Sequence, residues 1–226
     1  MSGHKLPREI MDTLAARQQM VDQQIRTWEV LDPRVLDVFA TVPREAFVPP
    51  EYRELAFADA AIPIGFGQSM LAPKLQGRIL QALAVTAKES VLEVGSGTGY
   101  LSACLALLAS STHSIDIYPE LTKAATINLR TVPAALVSFE TRDACSGASL
   151  GEYDVIAVTG SLPLYDTRFE RALRVGGRLF AVVGEAPVMD AILVRRVDDT
   201  EWVRESLFET VIDPLVNALP ANRFIF

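Results

Sequence analysis

Glycines at positions 95, 97 and 99 close one apolar run and open another pattern. Val91-Leu92-Glu93-Val94 reads as a buried strand that carries one acid, Glu93. Gly95-Ser96-Gly97-Thr98-Gly99 reads as a turn, and Tyr100–Ala109 as a helix. A strand running through a glycine turn into a helix forms a cradle of nucleotide size. Glycine lets backbone approach a ligand that a side chain would hold off, and the helix N-terminus offers unpaired N–H groups. The dinucleotide fingerprint G-x-G-x-x-G needs a third glycine to bring helix and strand together. Tyr100 stands at that position, so hydride chemistry on a dinucleotide is disfavoured.

Further candidate residues fall at the ends of the following strands. Asp116, followed by Ile117, ends the second strand roughly twenty residues beyond the glycine turn, where an acid takes ribose hydroxyls. Asp143-Ala144 follows the third strand, where an acid can accept from an adenine amino group. Thr159-Gly160-Ser161 ends the fourth. Singly, Asp116 is an ordinary strand-end carboxylate and Asp143 an ordinary turn residue. Their appearance at consecutive strand ends is what points to a site. The glycine turn holds no Lys or Arg, so nothing there asks for a phosphate.

These residues need a sheet to hold them, and the pattern supplies one. Strand 90–94, helix 99–109, strand 112–117, helix 119–130 and strand 135–140 alternate. They are followed by strand 153–159, a helix near 166–174 and strand 178–183, entered through a turn at Gly176-Gly177. Such alternation predicts an α/β fold, a doubly wound and mostly parallel sheet with helices on both faces. Ala191–Val197 and Trp202–Ile212, joined by Asp198-Asp199-Thr200, predict an antiparallel hairpin at the C-terminal edge. Upstream, residues 9–28 repeat at helical spacing. Met11, Leu14, Val21 and Ile25 share a face, and Arg17 lies with the polar residues. Asp32-Pro33 caps a second helix carrying Val35, Leu36 and Phe39, which Pro43 ends. Residues 43–70 are irregular, and Asp59–Leu71 is placed as a loop at the mouth of the cradle. After Ala72-Pro73, Leu75, Ile79, Leu80 and Leu83 again follow a helical period.

The 226 residues, half of them apolar, suffice for one domain, 1–226. Within it, 1–89 form a helical cover with a substrate loop and 90–226 the cofactor-binding sheet. The net charge of −7 argues against nucleic acid as a partner. No apolar run reaches membrane-spanning length, and Met1–Met11 lacks the apolar core of a secretory signal. Cys104 and Cys145 are the two cysteines and His4 and His113 the two histidines, so no metal cluster is expected. Cys104 falls on the apolar side of its helix, which favours a buried thiol and a cytoplasmic setting. His113 lies early in its strand, away from the ligand edge. The oligomeric state, monomer or homodimer, stays open, as does the place of the apolar tail Phe224-Ile225-Phe226.

Glu93-Val94-Gly95-Ser96-Gly97-Thr98-Gly99-Tyr100 resembles the first motif of class I methyltransferases, which bind S-adenosylmethionine (AdoMet). Further stretches narrow the likeness. They are Met20-Val21-Asp22-Gln23-Gln24-Ile25, Val42-Pro43-Arg44-Glu45-Ala46-Phe47-Val48-Pro49, and Phe57-Ala58-Asp59 with Ile62-Pro63-Ile64-Gly65-Phe66-Gly67-Gln68. Tyr153-Asp154-Val155-Ile156, Gly176-Gly177-Arg178-Leu179 and Asp213-Pro214-Leu215 extend it. Together these resemble the protein-L-isoaspartate O-methyltransferase family over about residues 17–215.

The resemblance implies methyl transfer from AdoMet, leaving S-adenosylhomocysteine, to the free carboxylate of an isoaspartyl residue in a damaged protein or peptide. The ester can then collapse to a succinimide and reopen, partly as aspartate. It implies a cofactor set of Glu93, Gly95, Ser96, Gly97, Thr98, Gly99, Asp116, Ile117, Asp143, Ala144 and Thr159. On the acceptor side Ser69 would orient the substrate, with Asp59 and Gln68 shaping the loop. One departure stands out: where the family loop carries Gly-Gln-Thr-Ile-Ser, this chain has Gly67-Gln68-Ser69-Met70-Leu71. Leu71 cannot donate the hydrogen bond that the family serine gives the substrate carboxylate, a loss of about 1.5–3 kcal/mol. That keeps two alternatives open: a methyltransferase for another acceptor, or an AdoMet-binding protein without catalysis.

Overall fold

The structure is a computed structural model that describes residues 8–220. The tail Phe224-Ile225-Phe226 and His4 lie outside the described residues. Seven strands form the main sheet: β3 (Ser90–Val94), β4 (Ser111–Asp116), β5 (Val137–Thr141), β6 (Tyr153–Leu162), β7 (Leu173–Glu185), β8 (Val188–Arg196) and β9 (Trp202–Glu209). Their order is β5-β4-β3-β6-β7-β8-β9. The first five run parallel, and β8 and β9 add antiparallel. This is the mostly parallel sheet with a terminal hairpin that the alternation predicts. β3 and β6 are neighbours, yet the chain leaves them toward opposite sides of the sheet. That reversal opens a crevice beyond their carboxyl ends, where α/β sheets bind ligands.

Alternation within the strands divides the core. Val91, Val155, Ala157 and Phe180 point to one face, and Leu92, Ile156, Val158 and Leu179 to the other. The first face is covered by α1 (Arg8–Met20), α2 (Pro33–Thr41), α3 (Pro73–Leu83) and α4 (Tyr100–Leu108). They bury Met20, Phe39, Ile79, Leu80 and Cys104 against it. The apolar stripes of the N-terminal helices thus pack into the core on this face. The Asp32 side chain accepts from the Arg34 N–H at 2.9 Å, the cap that Asp-Pro announces. The second face buries Phe169 of the short α6 (Thr167–Arg171), with Leu150 and Leu173. α5 (Pro119–Asn128) follows β4 and begins on Pro119.

Several expectations need correction. The first helix does not run to 28. It tightens at Val21–Ile25 into a π-helical turn and at Arg26–Trp28 into a 3₁₀ turn. Arg17 is buried, because its guanidinium meets Glu45 at 2.5 Å, whereas Leu14 is exposed. The side chain of Met11 lies outside the described residues. Asp59–Leu71 is not a plain loop: β1 (Ile62–Gly65) and β2 (Gln68–Met70) pair there as an antiparallel hairpin. Gly176-Gly177 does not turn the chain; both lie inside the thirteen-residue β7. There the register against β6 shifts between Tyr153 and Val155, and a Cβ on Gly177 would meet Asp154 O at 2.7 Å. The glycines make room for a bulge. The helix placed near 166–174 shortens to five residues, since β7 already starts at Leu173.

One glycine of the turn makes room for a neighbouring helix. Gly99 has φ +89°, and a Cβ there would lie 2.8 Å from Ala125 Cβ and 3.0 Å from its Cα. Left-handed alanine costs about 1–2 kcal/mol and overpacking about 1–3 kcal/mol. Gly99→Ala is therefore expected to lower the unfolding free energy by about 2–4 kcal/mol, read by urea denaturation. An unchanged midpoint would contradict the close α4–α5 packing.

Candidate active site

The cradle is built from the ends of four strands. Val94 ends β3, with Gly95 and Gly97 after it; Asp116 ends β4, with Ile117 and Tyr118 after it; Arg142, Asp143 and Ala144 follow β5; Thr159 and Gly160 belong to β6. Together they line one cavity, and Ile64, Gln68 and Ser69 of the β1–β2 hairpin form its roof. Leu215 and Val216 close a further side. They are held there because Pro214 pairs with Ser161, the Ser161 N–H donating to Asp213 O and the Leu215 N–H to Ser161 O.

Asp116 is the electrostatic centre of the cradle. It is buried, and Oδ2 accepts from the Gly97 N–H at 2.8 Å and the Ser96 hydroxyl at 3.3 Å. Oδ1 accepts from the Tyr118 N–H at 3.0 Å. Burial raises its pKa, and these backbone donors oppose the rise. The Thr159 hydroxyl lies 2.9 Å from Val94 O and 2.8 Å from Gly95 O, pinning the mouth of β3. A Cβ on Gly95 would meet that hydroxyl at 2.4 Å, and one on Gly97 would meet Ile64 Cδ1 at 3.0 Å. The space inside the turn is what the missing side chains leave. Asp143 Oδ1 takes the Cys145 N–H at 2.7 Å, and Oδ2 takes Asn217 Nδ2 at 2.9 Å.

Other members of the expected set sit elsewhere. Glu93, Ser96 and Thr98 face a smaller hollow behind the turn, shared with Gln76 and Tyr100. Gly99 lines neither space and packs on α5 instead. Glu93 is fully buried; Ser102 donates to Oε2, Ser114 donates to it at 2.5 Å, and Oε1 has no partner. Burial drives its pKa up to about 7. An orphaned buried carboxylate oxygen beside the glycine turn suits a cationic group. The folded pKa exceeds the unfolded value of 4.5, so the sign is fixed. Glu93 costs nothing well below pH 4.5, and the cost grows as pH rises from there to about 7. Between pH 5 and pH 8, Glu93→Gln is expected to gain about 2 kcal/mol in stability on the ligand-free wild-type chain. Urea titrations at both pH values read this, and a pH-independent difference would refute it.

On the other side of the hairpin runs a groove of about 610 Å³. Asp59, Ser69, Leu71 and Lys74 form one wall, and Ser161, Glu185, Thr210 and Asp213 belong to the other. Ser69 borders this groove, the cofactor cavity and the hollow alike. Gln68 faces the cofactor cavity only, and Asp59 the groove only.

Three features escape sequence reasoning. Phe66, at the hairpin tip with φ +57°, stacks on Tyr118, ring centroids 4.3 Å apart. Lys74 Nζ sits 2.7 Å from Asp59 Oδ2 and 4.4 Å from the Trp28 ring centroid. Arg44 is fully buried; it donates to Ala56 O at 2.8 Å, to Leu71 O at 2.8 Å and to Gln76 Oε1, and its guanidinium lies over the Tyr100 ring. Pairings this distant along the chain leave no local signal.

The remaining nucleophiles lie apart. Cys104 is buried, and burial pushes its thiol pKa up. His113 Nδ1 lies 2.7 Å from the Tyr153 hydroxyl and Nε2 3.0 Å from Glu140, away from both cavities. Among the described residues no cluster of three His, Cys, Asp or Glu could hold a metal, and no helix is long and apolar enough to cross a membrane.

Comparison with known proteins agrees with this geometry. Residues 15–219 match the family model described as protein-L-isoaspartate(D-aspartate) O-methyltransferase. A protein-L-isoaspartate O-methyltransferase of Koribacter versatilis is 35% identical over 201 residues, 88% of this chain and 90% of that protein. Its counterpart numbered 1 from Anaeromyxobacter sp. is 40% identical over 171 residues, covering 75% and 80% respectively. A Plasmodium falciparum crystal structure, described as a protein-L-isoaspartate O-methyltransferase in complex with S-adenosyl-L-homocysteine, superimposes with a TM-score of 0.79. It covers 89% of this chain and 98% of that one at 18% identity, a likeness of fold.

Proposed function

The chain belongs to the protein-L-isoaspartate(D-aspartate) O-methyltransferase family, and from that premise we propose how its own residues carry the reaction. The enzyme transfers a methyl group from AdoMet to the free carboxylate of isoaspartyl residues in damaged proteins. The observation that carries the assignment of roles is the position of Ser69, which borders both the cofactor cavity and the groove. A group bound in the groove meets the cofactor cavity at that hydroxyl.

The cradle suits the cofactor chemically. Asp116 is aimed at a ribose-like diol, the buried Glu93 favours a cationic amino group, and the glycine turn leaves room for the ligand. We assign Gly95, Gly97, Asp116, Ile117, Asp143, Ala144 and Thr159 to direct binding. Ser96, Thr98 and Glu93 act from the hollow behind. When bound, AdoMet supplies an electrophilic methyl group. The acceptor needs no general base, since a carboxylate of ordinary pKa, about 4, is already ionised at neutral pH. What the protein contributes is alignment and exclusion of water. Ser69 orients the acceptor oxygen, Gln68 and Asp59 fix the hairpin and groove on either side of it, and Ile64 covers Gly97. We read the chain as a single methyltransferase domain. The free thiols of Cys104 and Cys145 support a reducing, cytoplasmic setting.

Leu71 lines the groove with an apolar side chain while its carbonyl is taken by Arg44. The two alternatives it keeps open are not favoured by the family match. The test is radiolabelled methyl transfer to an isoaspartyl peptide with its aspartyl twin as control, for the wild type and Leu71→Ser. Base-labile label on the isoaspartyl peptide alone is expected from both. No transfer by the wild type, despite AdoMet binding, would sink the reading.

A further inference from the structure

Resting on the acceptor reading above, we propose that Lys74 is the anion-recognition residue of the groove: its ammonium exchanges Asp59 for the substrate's free carboxylate. Leu71 presents no donor where the family loop presents a serine, so the groove needs another means of holding a negative group. Its charged wall residues are Asp59, Glu185, Asp213 and Lys74. Lys74 is thus the only cation among the described residues that line it. Three carboxylates would turn an anionic acceptor away, and a single ammonium among them decides where one can settle.

The ammonium is prepared for this task. Asp59 holds it from one side at 2.7 Å and the Trp28 ring from another at 4.4 Å, which fixes a long flexible stem. Both side chains keep access to solvent, Lys74 at 29% and Asp59 at 34% exposure. Exchange of one carboxylate for another therefore leaves neither charge stranded in a dry interior. Pro73 and Lys74 open α3 directly after Leu71 and Ala72, so the lysine follows the departure from the family motif by three residues.

The chemistry restricts what Lys74 does. The acceptor carboxylate loses its charge as the methyl group arrives. An ammonium beside it stabilises the reactant more than the transition state. Lys74 therefore serves capture and discrimination, and its removal raises KM while kcat holds or rises.

The test compares binding of an isoaspartyl peptide with that of the same peptide carrying a carboxamide in place of the free carboxylate, by calorimetry with S-adenosylhomocysteine present. The wild type is expected to prefer the carboxylate by at least about tenfold. Lys74→Met is expected to bring the two peptides within about threefold, and Lys74→Arg to keep most of the preference. Asp59→Asn, which removes the competing anion, is expected to sharpen it. A merely structural lysine would weaken both peptides equally in Lys74→Met, and that result overturns the proposal. So does a wild type that does not discriminate. If Lys74→Met does not fold, Asp59→Asn decides, and an unchanged or smaller preference overturns the proposal. Methyl transfer by the wild type separates this failure from that of the acceptor reading: label on the isoaspartyl peptide keeps the reading and loses only the role of Lys74. Absence of label loses both.

Discussion

Asp116→Ala is expected to bind AdoMet at least about 100-fold more weakly than the wild type, a difference that calorimetric titration reads. The reason is that one carboxylate does two jobs. It holds the glycine turn through the N–H groups of Gly97 and Tyr118 and the Ser96 hydroxyl, and it lines the cavity proposed to take the ribose. A hydrogen bond to a charged acceptor contributes about 1.5–3 kcal/mol. Loss of two such bonds exceeds the roughly 2.8 kcal/mol that a hundredfold change requires. Asp116→Asn keeps one acceptor oxygen and is expected to fall between the two. Affinity within about threefold of the wild type, in an Asp116→Ala protein with an unchanged unfolding transition, would remove Asp116 from the cofactor site.

Arg44→Met is expected to lose about 3–5 kcal/mol of stability and most methyl transfer. A fully buried guanidinium is costly, and burial lowers its pKa accordingly. It is retained because three acceptors depend on it: Ala56 O, Leu71 O and Gln76 Oε1. Methionine fills much of the volume and satisfies none of them, and each buried acceptor left alone costs about 1–3 kcal/mol. The Leu71 carbonyl is the tie that matters for activity, since Leu71 stands two residues from Ser69. Urea denaturation and methyl-transfer rates together read the effect. A loss of stability at undiminished rate would show that Arg44 supports the cover and not the acceptor wall.

The parts of this enzyme that were legible from sequence are those built locally. The glycine turn, the strand before it, the Asp-Pro cap and the acid ending the second strand each announce themselves within a few residues. The site as a surface was not legible, because it is assembled across the sheet. Leu215 reaches the cofactor cavity only because Pro214 bridges to Ser161, and Lys74 joins the acceptor wall through Asp59, fifteen residues earlier. Misreadings came where tertiary contacts override a local rule. A glycine pair normally turns a chain, yet Gly176-Gly177 relieve crowding within a strand. Arg17 belongs to a polar stripe, yet Glu45 draws it inside. Gly99 belongs to the glycine turn, yet what its missing side chain makes room for is Ala125 of α5.

The hairpin roof has its own consequence for traffic through the site. It is anchored at its tip by a single ring pair, Phe66 on Tyr118. Such a pair contributes about 0.5–1.5 kcal/mol beyond the area it buries. That biases the shut form over the parted one by roughly two- to thirteenfold from this contact. A clasp of that strength shields the transfer from water yet leaves a standing fraction of molecules with the rings apart. Spent cofactor is therefore expected to leave through a small fluctuation of the roof, without unfolding of the hairpin.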